Sequence, residues 1–340
     1  MHCRRPAGLV GDIAPVMRHY CTYFDTHYLL RGLALYRSLK QHAEPFTLRV
    51  LCFDDVSYDV LTKLARPDLI PIALADFERG DDALLAAKAT RSRVEYYFTC
   101  SPSLPLYVLR YSPEVDLITY LDADLFFYAS PEPIFEEMGE ASILIISHHL
   151  SPGLEYMLAC GIYNVGLLSF RNDGAGRECL EWWRERCLEW CFDRVEDGKY
   201  ADQKYLDDWP TRFRGVIALE NSGAGLAPWN WRNYAVTVRG ERVFVDGHPL
   251  IFFHYHGLKI IRSWLYDPVY AGKVYGEMPR PLCHAVYDPY VSQLKATARW
   301  ARATTPEIGF APTPLGRIYR WRVFWSKVRR GRLMLSSGLE

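Results

Sequence analysis

The run Tyr120–Leu121–Asp122–Ala123–Asp124–Leu125–Phe126–Phe127 sets two acids one residue apart, directly behind the apolar stretch Leu117–Leu121. In extended backbone the side chains at i and i+2 point the same way, so both carboxylates would face one pocket. Two unpaired carboxylates in apolar surroundings repel each other and resist ionisation. A divalent cation removes that cost by supplying the missing positive charge. Oxygen ligands favour Mg²⁺ or Mn²⁺. A bare D-x-D also arises by chance, as two solvated turn acids. Its place between two apolar runs is what argues for a metal.

A second apolar run ends in coordinating side chains at Phe252–Phe253–His254–Tyr255–His256–Gly257–Leu258–Lys259. His254 and His256 share the period-2 phase, so either reaches the same metal. Taken alone, these histidines read as structural. Imidazole beside carboxylates tilts the choice toward Mn²⁺. Gly257 lets the backbone approach a ligand closely, and Lys259 meets a phosphate as a point charge. Two further runs, Gly161–Ile162–Tyr163–Asn164–Val165–Gly166–Leu167 and Asp202–Gln203–Lys204–Tyr205–Leu206, carry Asn, Asp and Gln. Those side chains hydrogen-bond sugar hydroxyls. Each run alone is equally a turn with a capped helix, Asp202 lying near a helix N-terminus.

These residues need a scaffold, and the chain supplies one. Val16 to Tyr23 is β-prone and ends at Phe24–Asp25. Tyr28 to Lys40 has helical spacing, Thr47 to Phe53 reads as a strand ending at Asp54–Asp55, Val56 to Ala65 as a helix and Leu69 to Leu74 as a strand. This β-α-β-α-β opening predicts an α/β fold with a mostly parallel central sheet and helices on both faces. Ligands collect beyond the carboxyl ends of such strands, where Asp25 and Asp54/Asp55 fall. A helix over Asp82–Tyr97 is expected to break at Pro102–Pro105 and resume over Leu104–Leu109. Leu117–Leu121, Ile143–Ser147 and Tyr163–Phe170 read as buried strands. Glu178 to Val195 reads as a helix with one apolar face that includes Cys187 and Cys191. Val216–Leu219, Val236–Val238 and Leu250–His254 are later strands, with a small hairpin between Arg239–Gly240 and Asp246–Gly247.

The chain has 340 residues, 49% of them hydrophobic, enough for one large core or two modest ones. Lys plus Arg equals Asp plus Glu at 40 each, so no global pull toward nucleic acid is expected. Nine scattered cysteines without a C-x-x-C pair suit a reducing cytoplasm and give no zinc-site spacing. Arg4 and Arg5 precede no apolar run, so no signal peptide is read. No uncharged apolar stretch reaches the ~18 residues that a membrane span needs. The core domain is expected over residues 12–305. Thr304, Thr305, Pro306, Pro312 and Pro314 then mark a linker-like stretch, so that 306–340 reads as linker and basic tail. That tail carries Arg317, Arg320, Arg322, Lys327, Arg329, Arg330 and Arg332 interleaved with Tyr319, Trp321, Phe324 and Trp325. It reads as a segment that lies on an anionic membrane surface, or as a terminal helix with a solvated basic face. The expected location is cytoplasmic and peripheral on the inner face of the membrane.

The ordered set D-A-D, N-V-G, D-Q-x-x-L and H-x-x-G followed by a lysine, spread over residues 16 to 260, resembles the A-type-fold nucleotide-sugar glycosyltransferases. It is most similar to the family 8 group of glycogenin and the lipopolysaccharide galactosyltransferases, on a divergent bacterial branch. The resemblance implies that Asp122, Asp124 and His254 hold Mn²⁺ (or Mg²⁺) on the donor diphosphate. The family pattern H-x-x-G-x-x-K-P-W is not kept: the lysine comes one residue early and no Pro–Trp follows. The choice between His254 and His256 therefore stays open. By the same resemblance Asn164 and Gly166, with Asp202 and Gln203, serve the donor sugar, and Gly257 and Lys259 the diphosphate. Thr22, Tyr23 and Asp25 are the nearest candidates for the base, and Arg91 or Arg93 for a further donor group. The implied reaction is transfer of a sugar from a UDP-linked donor to a hydroxyl acceptor, with retention. The acceptor would be a glycan or a lipid-linked one, in lipopolysaccharide or other surface polysaccharide synthesis. A sugar nucleotidyltransferase would open with a Gly-rich loop, whereas Tyr20–Arg31 has only Gly32 nearby. A nucleotide-sugar hydrolase would use the same metal and sheet. A non-enzymatic carbohydrate-binding protein on this fold would not need all of these acids and histidines.

Overall fold

The computed structural model describes residues 16–262, 265–268 and 272–305, together with 325, 327 and 333–335. The opening is the expected alternation: β1 (Arg18–Phe24), α1 (Leu29–His42), β2 (Phe46–Cys52), α2 (Asp55–Leu64) and β3 (Leu69–Ala73). Asp54 does not head for a ligand. Its carboxylate accepts the Ser57 N–H at 2.8 Å and caps α2, as an N-cap acid should. Next come α3 (Leu74–Phe77), α4 (Asp82–Thr90) and α5 (Arg93–Tyr111). Here the expected proline break is absent: α5 runs through both Pro102 and Pro105. The two rings forfeit helical N–H bonds, but Ser101, Pro102, Ser103, Leu104 and Pro105 are all buried, and their packing against the sheet outweighs the loss.

The chain continues with β4 (Leu117–Leu121), β5 (Leu125–Phe127), α6 (Glu132–Met138), β6 (Ile143–Ser147), β7 (Tyr163–Arg171), α7 (Gly174–Glu189), α8 (Trp209–Arg212) and β8 (Val216–Leu219). Asp173 caps α7 by accepting the Gly176 N–H at 2.8 Å, so that helix starts and ends earlier than its apolar spacing predicts. Cys187 on this helix and Cys191 just beyond its end are fully buried. The central sheet has seven strands in the order β3-β2-β1-β4-β7-β6-β8. Its pairings are parallel except those of β7, which is antiparallel to both β4 and β6. One core lies between the sheet and α1, α2 and α6, another between the sheet and α5 and α7. Helices therefore cover both faces. The strand order reverses beside β1, and the crevice at such a switch point collects ligands.

The last third builds smaller sheets: β9 (Ala224–Leu226), β10 (Val236–Arg239), β11 (Arg242–Val245), β12 (His248–Pro249), β13 (Phe252–His254), β14 (Lys259–Arg262) and β15 (Leu265–Asp267). After α9 (Gly272–Tyr275), the helix α10 (Arg280–Thr304) packs its apolar face over a third core built around β13. The strand β16 (Met334–Leu335) pairs antiparallel with β15. The end of the chain thus returns to the domain. Of the basic tail residues, Arg317, Arg320, Arg322, Arg329, Arg330 and Arg332 lie outside the described residues. Lys327 is buried and ion-paired with Asp267 rather than solvated, while Trp325 is exposed. Among the described residues no helix is long and apolar enough to cross a membrane.

Candidate active site

Asp122 leaves β4 at its carboxyl end, with its N–H donating to Gly166 O of β7 at 2.9 Å. The chain then turns at once, Leu125 N–H donating back to Asp122 O at 3.2 Å, and enters β5. The two acids therefore converge across a tight turn, not along extended backbone as their spacing suggests. β13 pairs with β5 so that His254 stands opposite Leu125, and Tyr255 N–H donates to Asp124 O at 3.0 Å. This register carries the His254 ring to the acids. His254 Nε2 lies 3.2 Å from Asp124 Oδ1 and 3.6 Å from Asp122 Oδ2. Among the described residues these three form the one group able to share a cation, with ligand atoms all within 4.8 Å of one another. His256 lines the adjoining cavity but is not in that group.

The electrostatics of the group are those of a site short of positive charge. Burial pushes the Asp122 carboxyl up, opposed by His254 and reinforced by Asp124. Burial works the same way on Asp124, but His254, Arg31 and His256 outweigh it and hold that carboxyl well below the usual range. Burial would strip the proton from His254, yet Asp124 and Asp122 more than offset it, so its pKa rises. The two carboxylates thus favour positive charge at the position of the His254 ring. Two carboxylates and an imidazole form a donor set that fits a divalent cation. Metal binding must release the His254 proton.

Behind the acids lies a cavity of about 320 Å³. Asn164, at the start of β7, accepts the Gly166 N–H through Oδ1 at 2.6 Å. Because β7 runs against β4, its start falls on the same sheet edge as the Asp122 end of β4. Gly166 leaves room for two neighbours: a Cβ there would meet Asn164 Oδ1 at 2.4 Å and the His254 ring at 3.0 Å. Asp202 and Gln203 also line this cavity. Trp183 anchors that segment by donating its indole N–H to Asp202 O at 2.8 Å, and Gln203 Nε2 donates to Cys160 O at 2.9 Å. The Asp202 carboxyl is pushed up to about 7 by burial, with Asp122 adding to the rise and the Ser101 hydroxyl opposing it. That hydroxyl also bonds Tyr23 at 3.1 Å, while Tyr120 donates to Asp122 Oδ1 at 2.9 Å.

Two residues in this cavity escaped sequence reasoning. His148 follows β6, which runs parallel to β4, so the rule that singled out Asp122 applies to it equally. Its Nδ1 faces Ile162 O at 3.2 Å and its Nε2 faces Asn164 Nδ2 at 3.2 Å. Those partners assign a neutral ring with the proton on Nδ1. Burial agrees, pushing its pKa down to about 4. Trp229 packs edge-on against His254 and His256, with ring centroids 5.1 and 5.7 Å away. Its indole N–H donates to His148 O at 3.0 Å.

The end of β1 differs from expectation. Thr22 is fully buried, and its hydroxyl has no hydrogen-bond partner. Tyr23 lines the cavity on the Asp202 side. Asp25 spends both oxygens internally. One accepts the N–H groups of His27 at 2.8 Å and Tyr28 at 3.3 Å, and the other accepts the Tyr97 hydroxyl at 3.0 Å and the Arg93 guanidinium. Of the two arginines, Arg93 is the one brought to this edge. Arg91 instead donates to Leu188 O and Glu189 O at 3.3 Å each and stacks on Phe192; carbonyls at a helix C-terminus attract a cation. Arg31, also missed, lies over the half-exposed Tyr28 ring at 4.4 Å and donates to Leu258 O at 2.8 Å. Gly257 precedes that carbonyl with φ +78°, a conformation that favours glycine. Lys259 follows, its pKa lowered by burial and then by Arg31. Two cations thus gather beside Asp124.

No protein-family model matches the chain. It is 37% identical to the uncharacterized protein YfnF of Bacillus subtilis over 250 residues, 71% of this chain and 82% of YfnF. It is 29% identical to a second uncharacterized protein of that organism, YfnD, over 299 residues, 86% of this chain and 94% of YfnD. Among solved structures it is similar to the galactosyltransferase LgtC in complex with donor and acceptor sugar analogues, at a TM-score of 0.53 and 14% identity, covering 88% of this chain and 100% of that one. The chain belongs to the same family as YfnF, and it carries the A-type glycosyltransferase fold that its ordered motifs resemble.

Proposed function

We propose that the protein transfers a sugar from a nucleoside diphosphate donor, UDP-linked, to a hydroxyl acceptor, with retention at the anomeric carbon. The observation that carries this reading is the gathering of Asp122, His254, Asn164, Asp202 and Gln203 around one cavity at the switch point of the sheet, with Asp124 grouped with Asp122 and His254. Asp122, Asp124 and His254 hold Mn²⁺. The bound cation supplies neutralisation of charge on the departing diphosphate. Arg31 and Lys259 add fixed positive charge beside it. Tyr28 offers its half-exposed ring to the base, and Arg93, held by Asp25, stands at the same edge. Asn164, Asp202 and Gln203 bond the hydroxyls of the donor sugar and orient its anomeric carbon, and the apolar walls of the cavity exclude water from it.

The acceptor is a glycan or a lipid-linked glycan of a surface polysaccharide. The basic tail supports presentation at an anionic membrane, so a variant in which Arg329, Arg330 and Arg332 become Ser should partition less onto anionic vesicles; unchanged partitioning contradicts that role. The function itself is tested by a screen of nucleotide-sugar donors with Mn²⁺, reading nucleotide release and the anomeric configuration of the product. Release that depends on an acceptor and yields retained configuration supports the proposal. Equal release without any acceptor marks a hydrolase, and no release with any donor returns the fold to a binding role.

A further inference from the structure

β6 and β7 pair antiparallel, with Ile146 opposite Asn164 and Ser147 opposite Tyr163. One step further along, the His148 N–H donates to Ile162 O at 2.9 Å. His148 and Asn164 are therefore diagonal neighbours across the ladder, a placement within reach of long side chains. Their polar atoms then fix one another. The Gly166 N–H is a backbone donor, so the Asn164 atom 2.6 Å from it is Oδ1, and Nδ2 turns to His148. An amide nitrogen only donates, so Nε2, the ring atom 3.2 Å from it, carries a lone pair. The ring proton then sits on Nδ1, which faces Ile162 O at 3.2 Å. Both ring nitrogens are engaged, and the second N–H of Nδ2 is left to the cavity that Asn164 and His148 line. The His148 carbonyl is pinned as well, accepting the Trp229 indole N–H at 3.0 Å and the Asn230 amide at 3.2 Å. Asn230 is 1% exposed and ties its own loop through Gly225 O at 2.9 Å and the Ala227 N–H at 2.8 Å. The imidazole is thus held by β7 on one side and by the Trp229 loop on the other.

We propose that His148 is a positioning residue for recognition of the donor sugar: it holds the Asn164 amide so that an N–H, and not the carbonyl oxygen, meets the sugar. This rests on the reading above that Asn164 meets the donor sugar. The terminal torsion of Asn is broad and has no staggered well to hold it, so hydrogen bonds at both ends of the amide must set its plane. Gly166 holds one end and His148 the other. Without the Nε2 lone pair, a single bond remains and the amide turns. The group recognised at this point of the cavity is therefore a sugar hydroxyl oxygen accepting a hydrogen bond. His148 acts through Asn164 and takes no part as an acid or base.

The test has a spectroscopic and a binding arm, both on the full chain. In the metal-free protein, long-range ¹H–¹⁵N correlation spectra should show His148 with its proton on Nδ1. Asn164→Asp puts an acceptor where Nδ2 stood and should place a proton on Nε2. A wild-type ring protonated on Nε2, or a ring that does not respond to Asn164→Asp, overturns the proposal. In the binding arm, UDP, UDP-glucose and UDP-galactose are titrated calorimetrically with saturating Mn²⁺. His148→Phe and Asn164→Ala should each weaken the tighter of the two UDP-sugars about tenfold, a change of about 1.4 kcal/mol, and leave UDP unmoved. His148→Gln, whose Oε1 takes the place of Nε2, should restore most of that affinity. The double variant His148→Phe/Asn164→Ala should bind no more weakly than Asn164→Ala alone. The proposal is overturned by wild-type UDP-sugar affinity in His148→Phe, by equal losses for UDP and UDP-sugar, by no rescue in His148→Gln, or by additive losses in the double variant. The spectroscopic arm and His148→Gln carry the test if His148→Phe fails to fold. Wild-type affinity in Asn164→Ala overturns instead the reading that Asn164 meets the sugar. A wild type that binds neither UDP-sugar overturns the donor assignment and the proposal with it.

Discussion

Asp202→Asn separates what the site does from what it does to stability. The Asp202 carboxyl is buried among Asp122, Ser101 and Tyr23, and its pKa is pushed from 3.8 up to about 7. Between those values the unfolded chain has lost the proton and the folded protein keeps it. The unfolded state then binds fewer protons, so stability falls as pH rises. The slope is about 1.4 kcal/mol per pH unit, and across roughly three units the loss approaches about 4 kcal/mol above pH 7, as an upper figure. At pH 5 only about 1–2 kcal/mol of it has appeared. Asn cannot ionise and keeps the hydrogen-bonding shape. In metal-free buffer, where no cation favours the carboxylate, Asp202→Asn should therefore be more stable than the wild type at pH 8. The advantage should shrink by about 2–3 kcal/mol at pH 5. Urea unfolding at the two pH values reads this directly. The same variant should lose nearly all sugar transfer with Mn²⁺. An advantage of equal size at both pH values refutes the electrostatic account of Asp202, and full turnover refutes its role at the donor sugar.

Two further outcomes follow from the geometry of the metal group. Gly166→Ala forces a Cβ against Asn164 and the His254 ring, which should destabilise the fold by about 1–3 kcal/mol and weaken Mn²⁺ binding; a titration showing wild-type Mn²⁺ affinity contradicts the packing argument. His254→Ala should weaken Mn²⁺ by about two orders of magnitude and His256→Ala by less than about threefold, and a reversed order contradicts the register of β13 on β5. Because Asp124 and Asp122 raise the His254 pKa against burial, Mn²⁺ affinity should be flat above that raised pKa and fall about tenfold per pH unit below it; affinity that rises on acidification contradicts the ligand assignment.

Much of this architecture is legible in one dimension, because the residues concerned obey local rules. The period of β1 through β3, with α1 and α2 between them, follows from apolar spacing and short turns. Asp122 is found because a buried strand must end somewhere and ligands gather there. The limits are equally physical. Whether His254 or His256 meets the acids depends on pairing between β13 and β5, which lie more than a hundred residues apart, and no local pattern encodes that register. The convergence of Asp122 and Asp124 depends on a turn that their spacing does not reveal. Arg91 and Arg93 are alike in sequence, and only the carbonyls at the end of α7 and the carboxylate of Asp25 sort them. α5 crosses two prolines because tertiary burial overrides propensity. α10 carries Pro281 in its first turn, where proline is tolerated, and runs through Pro289. His148, by contrast, obeys the same strand-end rule that points to Asp122.

The most direct test of the central claim is Mn²⁺-dependent nucleotide release from a UDP-sugar in the presence of a hydroxyl acceptor, compared between the wild type and Asp122→Ala. Release by the wild type that rises with Mn²⁺, is abolished by chelation and is absent in Asp122→Ala at every Mn²⁺ concentration is the predicted result. Turnover by Asp122→Ala at the wild-type rate would contradict a nucleotide-sugar site built on Asp122, Asp124 and His254.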